Sequence, residues 1–168
     1  MLLYHVTSVS RVEHILKQGL LIGTERGRHG PWIGNWADEA YQDRPVFVSY
    51  EPWLLLSRGH SVLLEIDGDG LRLTADLVSL TTECGARVDR RNRGLYWYED
   101  FPPELLQFAS EPGLVTFKKL LGSAAETCIE MTRTAACRRS ISPERIRLLD
   151  WEEAYSIAGE RASFTLCS

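Results

Sequence analysis

The sequence predicts an α+β fold, and three observations carry that prediction. Short stretches of strand composition, "LLYHV", "PVFVSY" and "SVLLEID", lie among short stretches with helical spacing. The two kinds do not alternate as the repeating unit of a doubly wound parallel sheet requires. A chain of 168 residues, 44% apolar and 25% charged, is long enough to bury a core and short enough for one domain. Residues 1–168 are therefore expected to form a single unit, with no internal repeat or low-complexity tract.

The elements follow in order. Leu2, Leu3, Tyr4 and Val6 are strand formers around a polar His5, which needs a hydrogen bond wherever it is covered. Ser10 and Glu13 have the S-x-x-E spacing of a capping box. Val12, Ile15 and Leu16 share one helical face, and Gly19 supplies a left-handed stop. From Gly23 to Arg44, "GTERGRHGPWIGNWADEAYQDR" has neither period, and a loop of that length is usually functional or disordered. Trp32, Trp36 and Tyr41 argue against disorder, because disordered linkers are poor in aromatics.

"PVFVSYEPW" reads as a strand bounded by Pro45 and Pro52, and "WLLLSRG" as a short apolar turn. In "SVLLEIDGDGLRL" the Gly-Asp-Gly is a turn signal, so the flanking pieces either pair or bend past one another. Residues 74–86 are ambiguous; the basic loop "RVDRRNRG" then leads into "LYWYED". "PPELLQFA" and "GLVTFKKLLG" predict helices, the first opened by proline at a permitted position. "TCIEMT" and "RIRLLDW" predict the last strands, and the tail from Glu152 has weak helical spacing.

A net charge of -4 and a pI near 5.6 give no overall basic footprint, so contact with nucleic acid or an anionic membrane would have to be local. Cys84, Cys128, Cys137 and Cys167 are widely spaced, with no C-x-x-C pair, and read as free thiols. There is no signal segment and no apolar run near the roughly 20 residues of a membrane span. A reducing cytoplasm is the expected compartment, and no membrane partner is expected.

Alternation supplies the first constraint on chemistry, because residues i and i+2 of a strand point the same way. Leu3, His5 and Thr7 share one face, as do Phe47 and Ser49. A strand over "TCIEMT" would turn Cys128, Glu130 and Thr132 away from Ile129 and Met131. A histidine, an aromatic ring and a glutamate would then project from three strands toward one cleft. The bland readings are a satisfied core histidine, a core phenylalanine and a solvated glutamate. His14 reads as a surface residue, His29 as a loop residue and His60 as part of a turn.

"LYHVTS" before a short helix and "GL", then "PVFVS", then a strand-borne glutamate, then "ISPERIRLL", resembles the ADP-ribosyltransferase fold in its H-Y-E branch. That branch includes diphtheria-toxin-like and poly(ADP-ribose)-polymerase-like enzymes. The resemblance covers about residues 2–150 and leaves 151–168 as a C-terminal tail. It implies a split β-sheet sandwich with short flanking helices and NAD as co-substrate. By position, His5 matches the histidine that binds the adenine-side ribose, and Val6 the residue whose main chain holds the nicotinamide carboxamide. Thr7 or Ser8 fills the hydroxyl position that follows. Phe47 falls where tyrosine usually stacks on nicotinamide, with Ser49 as a further candidate contact. Glu130 matches the catalytic glutamate, with Glu126 as the alternative. The segment 23–44 takes the place of the loop that closes over the dinucleotide.

The chemistry explains such a set. Cleaving the nicotinamide–ribose bond passes through an oxocarbenium-like sugar, so a carboxylate near C1′ and the 2′-hydroxyl stabilises developing charge and positions the attacking group. No metal-binding, P-loop or dinucleotide-fingerprint string is present. Cys128, two positions before Glu130, departs from the branch that modifies arginine.

The expected activity is transfer of ADP-ribose to a protein, nucleic-acid or small-molecule acceptor with release of nicotinamide. By analogy the setting is a bacterial or phage toxin or effector, with an antitoxin or immunity protein as a partner. The rivals are an RNA 2′-phosphotransferase, a NAD glycohydrolase, and an inactive nucleotide- or partner-binding module on the same fold. Arg87, Arg90, Arg91 and Arg93 run into Tyr96, Trp97 and Tyr98, a composition suited to phosphates and bases, though such runs are more often solvated loops. A second basic group, Arg133, Arg138, Arg139, Arg145 and Arg147, suits a pyrophosphate or merely flanks a strand.

Overall fold

The computed structural model describes residues 1–22, 35–41, 45–52 and 61–158. Strand β1 (Leu2–Ser8) passes through a 3-10 turn (Val9–Arg11) into helix α1 (Val12–Gln18). Helix α2 (Asn35–Tyr41) precedes β2 (Val46–Ser49), β3 (Ser61–Asp67), β4 (Leu73–Ala75) and helix α3 (Leu77–Thr82). Next come β5 (Arg87–Asp89), β6 (Gly94–Tyr96), a 3-10 turn (Pro103–Phe108), β7 (Leu114–Thr116) and α4 (Phe117–Leu120). Helix α5 (Ala125–Thr132), β8 (Thr134–Cys137), β9 (Ile146–Leu148) and α6 (Trp151–Ala158) complete the described chain.

The strands form a six-stranded sheet in the order β4-β8-β2-β1-β3-β9 and a three-stranded sheet in the order β5-β6-β7, with every pairing antiparallel. The mixed α+β architecture is as expected. No helix among the described residues is long and apolar enough to cross a membrane.

One face of the large sheet rests on a single apolar cluster that includes Leu3, Val46, Val48, Leu64 and Ile66, closed by Ile15 of α1. The other face carries two clusters. One, with Tyr41, Leu77, Leu95, Trp97 and Cys128, fills the space toward the small sheet and α5; the smaller groups Tyr4 and Leu63 with Leu149 and Ala154 of α6.

Several expectations need correction. "TCIEMT" is helical rather than extended: Ala124 and Cys128 lie one turn apart in the core, and Met131 packs against the same cluster. That helical spacing outweighs the β-branched composition. The strand sits just downstream, in "TAAC", buried along its whole length between β4 and β2. The first part of "GLVTFKKLLG" is strand β7, and only Phe117–Leu120 is helical. Arg87–Asp89, read as loop, is a strand.

The Ser10–Glu13 capping box does not form. Arg11 is the cap residue, without a side-chain bond, and the Ser10 hydroxyl meets that of Ser8 at 3.1 Å. Leu16 is exposed, leaving Ile15 as the buried contact of α1. Gly19 ends α1 at φ 86° and ψ -177°, an extended glycine conformation rather than a left-handed helical stop.

Within the segment 23–44, Asn35–Tyr41 is a helix whose aromatics are structural. Trp36 stacks on Phe117, and the buried Tyr41 hydroxyl donates to Ala75 O (2.8 Å) while accepting from Leu77 N (2.7 Å). The rest of that segment, with Trp32 and His29, lies outside the described residues, as do 53–60 with His60 and 159–168 with Cys167. The pieces flanking Gly68-Asp69-Gly70 bend apart, β3 joining β1 and β9 while β4 joins β8.

Candidate functional site at the seam of the large sheet

The two halves of the large sheet meet differently from the strands within each half. β1 pairs with β3 over its full length, from Leu2 opposite Asp67 to Ser8 opposite Ser61. β2 pairs with β8 from Val46 opposite Cys137 to Ser49 opposite Thr134. Between β1 and β2 there is one bridged pair, Tyr4 with Ser49. Toward Val6 and Phe47 no further pair forms, and the Phe47 carbonyl is met instead by the His5 ring, with Nδ1 at 2.8 Å.

That contact fixes the imidazole chemically. A carbonyl oxygen only accepts, so Nδ1 carries the hydrogen and Nε2 is the acceptor of the neutral ring. The half-buried His5 thus supplies the hydrogen bond that its place in a covered strand demands, and it ties the two halves together.

The faces follow from the Tyr4–Ser49 pair. Residues directly opposite one another share a face, so Tyr4 and Val6 lie with Phe47 and Ser49, whereas Leu3, His5 and Thr7 lie on the side of Val48. The expected face-sharing within each strand holds, but His5 and the Phe47 ring do not share one. The His5 ring approaches the main chain of Phe47 rather than its side chain. Phe47 is half-buried, edge-on to Tyr41 at 6.0 Å between ring centroids. Val6 is half-buried beside the Tyr4 cluster, Thr7 is buried, and Ser8 closes the strand.

Ser49 is 2% exposed, and its hydroxyl has no hydrogen-bond partner among the described residues. It belongs to a polar group that the sequence did not reveal. Opposite it, Thr134 Oγ1 lies 3.0 Å from Thr132 Oγ1, whose hydroxyl donates to Cys128 O. Asp76 caps α3, accepting from Val78 N, Ser79 N and the Ser79 hydroxyl at 2.8–3.1 Å. Burial pushes the Asp76 carboxyl above its ordinary range, against the opposing pull of Ser79, Thr134 and Val78. Asp76 precedes an apolar run, which is a cap signal, but nothing local to it announces the meeting with β8.

Glu130 and Glu126 lie one turn apart on α5, both exposed, and neither side chain bonds a described residue. Glu130 is therefore helix-borne, not strand-borne. Its helix is nonetheless tied to the end of β2: Tyr50 N donates to Arg133 O at 2.9 Å, and Arg133 pairs with Glu51 at 3.4 Å. Arg133, the left-handed C-cap of α5, also places its guanidinium over the Tyr50 ring.

The three described cysteines are free, as expected. Burial pushes the Cys128 thiol up to about 12, which makes it a packing group rather than a nucleophile. No protein-family model, curated protein or solved structure matches this chain.

Proposed function

We propose that this chain binds NAD along the seam between β1 and β2 and transfers ADP-ribose to an acceptor with release of nicotinamide. The observation that carries this reading is the seam itself: two three-stranded halves joined by one bridged pair, with the His5 imidazole bonded across it. It agrees in kind with the split sheet implied by the resemblance to ADP-ribosyltransferases, and both strands at the seam bear the motifs on which that resemblance rests. Such agreement is fold-level analogy, and the residue roles rest on the chemistry of each group.

The Nδ1 contact with the Phe47 carbonyl holds the imidazole across the seam, and the ring is assigned to the adenine-side ribose. Val6, past the bridged pair, is assigned the nicotinamide carboxamide through its main chain, and Phe47 the apolar side of that ring. Ser49 contributes a hydroxyl whose own bond is unmade in the described structure. Thr7 and Ser8 continue the binding strand. Glu130, with Glu126 one turn earlier, is assigned the carboxylate that stabilises the cationic sugar.

The exposed, helix-borne position of Glu130 favours a second reading, in which the seam binds the nucleotide without turning it over. Chromatographic measurement of nicotinamide from purified protein and NAD separates the two. Release that falls at least about a hundredfold in both His5→Ala and Glu130→Gln supports the transferase. Tight NAD binding without release supports the module. Release that survives Glu130→Gln and Glu126→Gln together removes the carboxylate assignment, and absence of NAD binding removes both readings.

A further inference from the structure

We infer that the outer face of the small sheet and its hairpin tip form a binding surface for single-stranded nucleic acid. The inference stands apart from the NAD reading, since it involves other residues and needs no nucleotide cofactor.

The register fixes which side chains face out. Val88, Leu95 and Val115 lie opposite one another and pack into the large core, as does Trp97. Arg87 and Tyr96, paired on the alternate positions, therefore face away from it, and Tyr98 follows on the same side. The three form one assembly: the Tyr96 and Tyr98 rings meet edge-on at 4.8 Å, and the Arg87 guanidinium sits 5.1 Å from the Tyr98 ring centroid. Tyr98 is nonetheless 71% exposed, so an aromatic ring held from two sides still presents area to solvent.

The hairpin joining β5 to β6 supplies charge. Asp89 Oδ1 accepts from Asn92 N, and Oδ2 from Asn92 Nδ2, each at 3.0 Å. Arg93 takes a left-handed conformation, and its carbonyl accepts from Phe117 N at 2.8 Å. The tip is thus built to a fixed shape, with Arg90, Arg91 and Arg93 exposed around it. None of these, nor Arg87, forms an ion pair with a described residue. Four arginines against Asp89 alone make this stretch basic in a chain of net charge -4; Glu99 and Asp100, just after Tyr98, bound the patch.

Exposed guanidiniums beside a fixed, open tyrosine match the two parts of a single strand, phosphates along the backbone and unstacked base faces. A duplex hides its base faces and can satisfy only the charges. A peptide of acidic residues would likewise leave Tyr98 without a matching planar group.

The test is fluorescence anisotropy of the full chain with labelled oligothymidylate and oligouridylate of about 12 nucleotides across a salt series. Single strands should bind more tightly than a duplex of equal length. Tyr98→Ala should weaken binding about tenfold with the salt slope unchanged. The triple change Arg90→Ala, Arg91→Ala and Arg93→Ala should reduce the log–log salt slope by about 2. Lys17→Ala, exposed on α1 at the opposite face of the large sheet, should change neither. Absence of binding at about 50 mM salt, equal affinity for duplex, or indifference to Tyr98→Ala in a variant with an unchanged circular dichroism spectrum overturns the inference.

Discussion

The His5 ring reaches across the seam of the large sheet, its Nδ1 2.8 Å from the Phe47 carbonyl. A histidine inside an apolar strand needs a partner, and its partner is a carbonyl from the strand across the seam, a contact no local pattern announces. Ser49 is the complementary case, a buried hydroxyl with no hydrogen-bond partner among the described residues. An unsatisfied buried hydroxyl is unfavourable by about 1–3 kcal/mol, so Ser49→Ala is expected to raise stability by about 1 kcal/mol in urea unfolding and to weaken NAD binding. Loss of stability in that variant would mean that the hydroxyl is already satisfied.

Asp76 makes a prediction about pH. Burial lifts its folded pKa above the ordinary 3.8, so the folded state holds this proton more firmly than the unfolded state does. Its contribution to stability is therefore most favourable below about 4 and declines as pH rises through the folded value. Asp76→Asn keeps an oxygen for the cap and removes the titration. Wild type should lose stability relative to this variant as pH rises through that window, measured by denaturant midpoints at each pH. A constant difference across the series would show that this carboxyl has no raised value.

Among the elements, the end of α1 is constrained at Gly19. Its extended conformation at positive φ is one that only glycine adopts readily, and a Cβ there would run into the Ile141 carbonyl. Leu20 and Ile141 exchange both main-chain bonds beside it, so the chain cannot draw back without breaking that bridge. Gly19→Ala should lower stability by about 1–3 kcal/mol or more, read from the shift in urea midpoint. An unchanged midpoint would contradict the close approach.

The elements also show what local sequence carries. β1, β2 and β3 were legible from composition, and Gly19 correctly marks the end of α1. "TCIEMT" was not, because three β-branched residues and a period of two compete there with an Ala124–Cys128 helical spacing that packing decides. "TAAC" has poor strand propensity and becomes a strand only because β4 and β2 enclose it on both edges. At the start of α6, Asp150 and Glu153 form a reciprocal cap, with Glu153 N donating to Asp150 Oδ1 at 2.8 Å and Asp150 N to Glu153 Oε2 at 3.2 Å. That spacing was readable, yet the tail's weak period hid it.

For the whole molecule, the consequential feature is the uneven joining of the large sheet. One face has a single core spanning both halves, while the other divides its core into two clusters, with Tyr4 in one and Phe47 packed against the other. A seam bridged by one pair is therefore braced from one side only. This arrangement depends on pairings between segments far apart in the chain, which local periodicity does not encode. The candidate ligand strands were legible as separate motifs; their junction, the Asp76–Thr134 group beside it and the helical seat of Glu130 were not. Charge behaves similarly, since the acidic total conceals a basic hairpin that only the register of the small sheet aligns with its tyrosines.

Chemical-shift mapping of nitrogen-15-labelled protein during a NAD titration locates the dinucleotide on the chain, because it reports the place of binding whether or not turnover follows. Saturable shifts concentrated in Leu3–Ser8 and Val46–Tyr50, and lost in His5→Ala, are the predicted result. Shifts confined to other strands, or none up to millimolar NAD, would contradict a dinucleotide site at the seam.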